Sequence, residues 1–547
     1  MLGRTKRALL DFCLSCVSPP PEADRAGTRQ SSPPSSLEDE RTLAEVGASE
    51  KPRTMHPALA IYDIVVNIAA FLEPADAVAL GRASRGTFFA VLPRVWAQVP
   101  AVRHLVPIAA AAQRSRWSLY APHIQSLIFD ELDTRTSAPI PWTAFHALHG
   151  DGALPLLPCL KRLVWKSNTA RGTTAILPFV NPDSLRRLEI ALSDYFSVDT
   201  SPARQLLEQL TSRSLGLHSC KLSMLEDSPL EQPVAEDLLH AVKTFLTTQT
   251  TLQEVALSPS LLSLAVVGQL AMIKSLSSFT ISGRDPLEPM LEEGVTSQCK
   301  LPFGSLRTME THHVGIGTCS AVLQRSHLQM LSKIRVWTTY LPSVDALSSF
   351  IASAAQLNRL EALFLSVNAV IPLEEERYDY MLPASALHPL RSCHQLSTLE
   401  LHLVCPTILE VDDVHSMATA WPQLQVLRMS GAGCDGLAYR SRLDFRALIP
   451  FTEFCPRLQS LQLDINADLC GLDLDSLRAV GYANHTALRT LDVGWSWWAP
   501  DGPSPEDVAD VLTDIFPNEH FRLVWSIQLP TRIARRWATV YEILTPC

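Results

Sequence analysis

From about His123 onward one arrangement of apolar and polar positions recurs: an apolar residue, two others, a second apolar residue, one other, and a third apolar residue. It stands at Ile124/Leu127/Phe129, Leu160/Leu163/Trp165, Leu185/Leu188/Ile190, Leu252/Val255/Leu257, Leu276/Phe279/Ile281, Leu331/Ile334/Val336, Leu360/Leu363/Leu365, Leu396/Leu399/Leu401, Leu424/Leu427/Met429, Leu458/Leu461/Leu463 and Leu488/Leu491/Val493. Weaker copies surround Leu215-x-Leu217 and Leu306/Met309. The period of two predicts a short strand with its apolar positions turned into a core. Between copies the period becomes helical: Val234, Leu238, Val242 and Phe245 follow Pro233, and Val344, Leu347, Ile351 and Leu357 follow a Ser343 cap. Prolines then stop the helices, as in Leu157-Pro158-Cys159-Leu160, Trp421-Pro422-Gln423-Leu424 and Cys455-Pro456-Arg457-Leu458. One strand and one helix cannot bury their shared stripe, so copies must stack and both ends need caps. Asp507 to Phe516 and His520 to Ile543, with Trp525 and Trp537, are the expected C-terminal cap.

A different pattern precedes the repeats. Ile61, Ile64, Val65, Ile68, Phe71 and Leu72 fall on one side of a helix and leave Asp63 and Asn67 to solvent. Glu73-Pro74-Ala75-Asp76 breaks that helix, and Asp76 is placed to cap a second one through Ala77, Leu80 and Ala83. A third carries Phe88, Phe89, Val91 and Leu92 ahead of Pro93 and Val95-Trp96. Residues 55–100 thus read as a small helical module with little core of its own. Residues 1–54, rich in Pro, Ser and acidic side chains from Val17 onward, cannot offset their ordering entropy by burial and are expected to be disordered.

A chain of 547 residues, 47% hydrophobic and 19% charged, is long enough for more than one unit, and its 39 prolines act as punctuation. The net charge of -10 argues against nucleic acid as the main partner, because phosphate binding needs a clustered basic surface. Its 12 cysteines are scattered, which suits a reduced intracellular chain, and the lone Cys13-Leu14-Ser15-Cys16 lacks a second ligand pair for zinc. The longest apolar stretch, around Leu261 to Ile273, is too short for a bilayer, so the expected location is cytoplasm or nucleus, with no membrane partner. His312-His313 and Glu374-Glu375-Glu376 lack the spaced partners that metal or acid–base chemistry requires. No nucleophile elbow, phosphate-cradling glycine loop or metal-binding helix appears, so no catalysis and no cofactor are expected.

The recurring unit resembles the leucine-rich repeat, in which an Asn or Cys three places after the last apolar position satisfies backbone groups at the turn; Asn168, Cys220, Asn368 and Asn466 stand there. The resemblance implies an α/β fold with a parallel sheet on the concave side and helices on the convex side, irregular because many intervals exceed the usual repeat length. His56-Pro57-Ala58-Leu59, the apolar helix, Pro74-x-Asp76, Ser84-Arg85 and Val95-Trp96 resemble the F-box of fungal proteins. Ala77 departs from the usual Leu, and Thr87 followed by Phe88 replaces the usual Trp. The resemblance implies docking onto the Skp-type adaptor of a cullin ubiquitin ligase through Pro57, Leu59, Ile64, Ile68, Leu72, Pro74, Leu80 and Trp96. The chain then divides into a tail (1–54), an F-box-like module (55–100), a helical bridge (101–122) and a leucine-rich-repeat solenoid with its cap (123–547). A target protein would be held on the sheet, where the positions between the apolar residues point outward. Arg335, Trp337, Phe364, His402, Arg428 and Asp464 give that face an interface-like composition. The alternative is a repeat scaffold with no link to a ligase. Trp495-Ser496-Trp497-Trp498 either packs against the C-terminal cap or forms an exposed anchor.

Overall fold

The computed structural model describes residues 62–99, 101–110, 114–131, 140–149, 155–193, 201–213, 215–225, 236–283, 301–369, 379–431, 441–467, 487–499, 502–518, 520–527 and 529–545. The expected disordered tail, Pro57, Leu59, the Cys13–Cys16 pair and Glu374-Glu375-Glu376 lie outside them. Contacts divide the chain into two compact units. The first comprises Met1–Phe129, Arg135–Leu163 and Pro178–Ser184; the second comprises Asp130–Thr134, Val164–Leu177 and Leu185–Cys547.

In the first unit, helices span Tyr62–Phe71, Pro74–Gly81 and Arg85–Trp96. Pro74 sits in the first turn, where its missing N–H has no partner to lose. The N-cap is Glu73, not Asp76, which lies inside the first turn and there complements the helix dipole. The third helix is capped reciprocally: the Thr87 amide donates to Ser84 Oγ (3.1 Å) and the Ser84 amide donates to Thr87 Oγ1 (2.9 Å). Thr87, a departure from the F-box pattern, therefore has a local structural task. This helix runs through Pro93 instead of stopping before it, and the Ala97 amide closes its last turn on the Pro93 carbonyl (3.1 Å). Short helices at Val102–His104, Val106–Ala110 and Arg114–Tyr120 fill the expected bridge. Strand β1 (Gln98–Val99) pairs in parallel with β2 (Ser126–Asp130). Phe145 packs edge-on against Phe179, with ring centroids 5.5 Å apart, and Trp117 Nε1 donates to the Leu156 carbonyl (2.8 Å).

The repeat supplies β3 (Arg162–Ser167), β4 (Arg187–Ser193), β5 (Ser219–Leu225), β6 (Glu254–Leu257), β7 (Ser278–Ser282), β8 (Leu301–Pro302), β9 (Thr308–His312) and β10 (Ser326–His327). It continues with β11 (Lys333–Thr338), β12 (Ala362–Val367), β13 (Leu382–Pro383), β14 (Thr398–Leu403), β15 (Thr407–Ile408) and β16 (Val426–Gly431), then β17 (Ser460–Gln462), β18 (Thr490–Asp492) and β19 (Arg522–Val524). In the second unit the order β4-β5-β6-β7-β9-β11-β12-β14-β16-β17-β18-β19 follows the chain; β8 with β10 and β13 with β15 form separate pairs. All these pairings are parallel. They align one buried row, Leu188, Cys220, Val255, Phe279, Met309, Ile334, Leu363, Leu399, Leu427, Leu461, Leu491 and Leu523.

That row corrects one expectation. Cys220 is a buried strand position between Leu188 and Val255, not the residue of a turn, and burial pushes its thiol up to about 12. Asn368 is exposed and its backbone amide donates to the Thr338 carbonyl (2.8 Å).

Helices at Glu236–Thr248 and Val344–Ala355 carry the expected apolar faces, with Leu238, Val242, Phe245, Leu347 and Ile351 buried; Val234 lies outside the described residues. Ser343 caps the second of these, accepting from the Ala346 amide (3.2 Å). Successive helices pack side by side as a layer behind the sheet. Strands and helices repeat as the leucine-rich-repeat resemblance requires: the second unit is an irregular α/β solenoid of this kind. At its C-terminal end Trp498 is buried against Trp537 (centroids 4.9 Å), and the Arg536 guanidinium lies 4.5 Å over the Trp498 ring. So Trp498 belongs to the cap. Among the described residues no helix is long and apolar enough to cross a membrane.

The buried row predicts that Leu399→Ala lowers unfolding free energy by about 2–5 kcal/mol, whereas Arg335→Ala, on the opposite face, changes it by about 1 kcal/mol or less. Chemical denaturation followed by circular dichroism checks the contrast; equal losses would contradict it.

Candidate functional site

Because strand side chains alternate, fixing the leucines inward fixes which residues face out. On β9, β11, β12 and β14 the outward positions bring four rings into a line. His312 stacks on Trp337 (centroids 4.4 Å apart, planes at 6°), Trp337 touches Phe364 (4.9 Å), and Phe364 touches His402 (5.6 Å). The register explains the shape of the line. Trp337, Ser366 and His402 are cross-strand partners, and the small, buried Ser366 leaves a gap that Phe364, two residues earlier on β12, spans.

Charged groups flank the rings in a repeated form. Glu310 accepts from Arg335 on the next strand (2.9 Å) and lies 3.8 Å from His312. Glu400 accepts from Arg428 on the next strand (3.2 Å) and lies 3.6 Å from His402. Each unit is thus a Glu-x-His strand followed by a strand bearing the matching Arg. Burial holds the His312 imidazole below its usual value despite Glu310. Hydrogen bonding to His402, with the Arg428 charge beside it, holds Glu400 below the usual carboxylate range against the opposing effect of burial. His402 also shares a hydrogen bond with Ser430 Oγ (3.0 Å).

Toward β18 the character changes. Asp464 Oδ1 accepts from the Trp495 amide (2.8 Å) beneath Gly494, whose φ of +52 and closeness to that oxygen leave no room for a Cβ. Asp492 accepts from the Gly494 amide (2.9 Å). Burial pushes the Asp464 carboxyl up to about 7, with the Asp492 charge adding to it. Burial likewise raises Asp492, against the pull of the Gly494 amide, Arg428 and His402. Among the described residues neither aspartate has an ion-paired cation, and no three His, Cys, Asp or Glu side chains gather as a metal site.

Five of the six residues expected from the sequence, Arg335, Trp337, Phe364, His402 and Arg428, therefore lie on one face of the sheet, and Asp464 follows just after β17; the outward positions Val164 on β3 and Ala191 on β4 are buried. Glu310, Asp492 and His312 were not among the expected partner-binding residues, and His312 stood out in the sequence only as half of a His-His pair. The repeat around β9 is weak, with Thr311 where a third apolar residue is expected, so its outward positions were not legible as a strand face. A recurring Glu-x-His is the signal that would have found two of them.

The helical module in the first unit presents a second surface. Val65 and Ala69 are the buried positions of the first helix, while Ile64 (37%), Ile68 (38%) and Phe71 (91%) are exposed, an i, i+4, i+7 stripe. Leu72 and Leu80 are half-buried, and Pro74 opens the second helix. Trp96 does not join them: it is 3% exposed, with its ring 4.7 Å from that of Tyr120, and is removed from the expected docking set because this module needs it as core.

No family model and no curated protein matches the sequence. Solved structures that match include the crystal structure of a TLR13–ssRNA13 complex, 14% identical over 75% of this chain with a TM-score of 0.34. The match spans only 57% of that TLR13 chain. Another is the leucine-rich repeat-containing protein LegL7 from Legionella pneumophila, 14% identical over 62% of this chain and 93% of LegL7, with a TM-score of 0.28.

The raised acidity constant of Asp464 has a defined sign. The folded state holds a proton there between about 3.8 and about 7, so this group's contribution to stability is full below that window and is lost as pH rises through it. The denaturation midpoint of the wild type relative to Asp464→Asn is expected to fall from pH of about 4 to about 7; parallel pH profiles for the two proteins would contradict it.

Proposed function

We propose that the protein is a substrate-recognition subunit of a cullin-type ubiquitin ligase. Its first helices would dock the Skp-type adaptor, its sheet face would hold a target protein, and ubiquitin transfer would be performed by other subunits. The observation that carries this reading is the stripe of Ile64, Ile68 and Phe71, apolar and exposed on the helix that resembles the F-box. Covering the apolar surface that these side chains leave in water is favourable in proportion to its area, and a stripe at helical spacing fits a helical partner's groove. A target held on a rigid face gains by proximity to an enzyme elsewhere in the assembly, so the chain itself performs no chemistry. A repeat scaffold without a ligase is the second reading, and the burial of Trp96, which subtracts one docking residue, favours it.

Co-purification of the full chain with the Skp-type adaptor separates the two. The variant Ile64→Asp/Ile68→Asp changes only exposed side chains and is expected to keep its circular dichroism spectrum. Its affinity for the adaptor should fall by about a hundredfold or more. Failure of the intact chain to bind the adaptor would leave the scaffold reading in its place.

A further inference from the structure

The sheet face differs along its length in a way that specifies a ligand. Around the rings, charge is internally balanced: Glu310 is paired with Arg335 and Glu400 with Arg428. A partner covering this part meets aromatic surface without facing a net charge, which favours an apolar contact. Beyond β16 the balance is broken. Arg428, whose charge acts on Asp492, is committed through Nη1 to Glu400 and approaches Ser460 through Nη2 (3.5 Å), and among the described residues Asp464 and Asp492 have backbone amides as their hydrogen-bond donors. The register Glu400–Arg428–Gln462–Asp492 puts Asp492 on the same face as the rings, and Asp464 follows two residues after Gln462, between the buried Leu463 and Ile465.

We propose that this face recognises a linear target segment carrying an apolar side chain and, further along, a lysine or arginine, the apolar group resting on Trp337 and Phe364 and the cation between Asp464 and Asp492. The inference rests on the reading of the sheet as the target-binding surface and adds the chemistry of the target. Charge complementarity selects the cation. Two neighbouring half-buried carboxylates repel one another, and the protonation of Asp464 near neutral pH is the present relief. A cation held between them supplies that relief without a proton. Spacing follows from the sheet. Phe364 on β12 and Asp492 on β18 are four strand steps apart in the order β12-β14-β16-β17-β18, which is about 19 Å at ~4.8 Å per step, or about six residues of extended chain.

A display library of random linear peptides, selected on the full chain, tests this. The peptides recovered should combine an aromatic or aliphatic residue with a Lys or Arg about six positions away. Replacing that Lys or Arg by Gln should weaken binding to the wild type about tenfold and leave binding to Asp464→Asn/Asp492→Asn unchanged. Asn keeps an oxygen for the Trp495 and Gly494 amides, so the loops are retained in the variant. Acidic or uncharged selected peptides, no selection at all, or undiminished binding by Asp464→Asn/Asp492→Asn would overturn the inference. Trp337→Ala distinguishes the two levels. Peptides that bind it as well as wild type remove the sheet as the target surface altogether, whereas peptides that need Trp337 but ignore the aspartates remove only the basic partner.

Discussion

Everything in the second unit depends on one constraint: a parallel strand that must bury alternate side chains behind it has no choice about which residues it shows in front. The buried row from Leu188 to Leu523 is continuous across every pairing, so a slip of one residue at any strand would drive its apolar row residue outward and its outward residue into the core. The helices complete the burial, and beyond β18 the tryptophans Trp498 and Trp537 are buried against one another.

The same constraint assembles the exposed face. Trp337 meets His312 because Val336 and Thr311 are aligned behind them, and Glu400 meets Arg428 because Leu399 and Leu427 are. None of the surface pairs needs to be strong; exposed ion pairs contribute about 1 kcal/mol or less. Their effect lies in neutralising the middle of the face, while among the described residues Asp464 and Asp492 have no ion pair. Selectivity for a partner can arise from that asymmetry more than from any single contact.

Much of this was legible in the sequence, and the omissions have physical causes. Strong triplets such as Leu396/Leu399/Leu401 announce both a strand and its outward residues, Glu400 and His402, since period two leaves no ambiguity. Cys220 occupies the same row as those leucines, but a thiol does not carry a leucine pattern, so it was read as a turn residue; the face of β9 was missed because Thr311 stands where its third apolar residue is expected. The helical module was legible only in outline. Ile64, Ile68 and Phe71 share a side with Val65, yet only small rotations about the helix axis decide which of them enter a minimal core, and the pattern alone cannot resolve them. Trp96 was placed on the surface by resemblance and in the core by packing against Tyr120.

In the proposed function the two surfaces have separate tasks, and hydrogen exchange of the full chain with and without the Skp-type adaptor examines that assignment directly. It predicts slower exchange in Tyr62–Phe71 and Arg85–Trp96 on adding adaptor, with β9 to β14 unchanged and free for a target. Protection confined to the strands, or none in the helices at saturating adaptor, would contradict it.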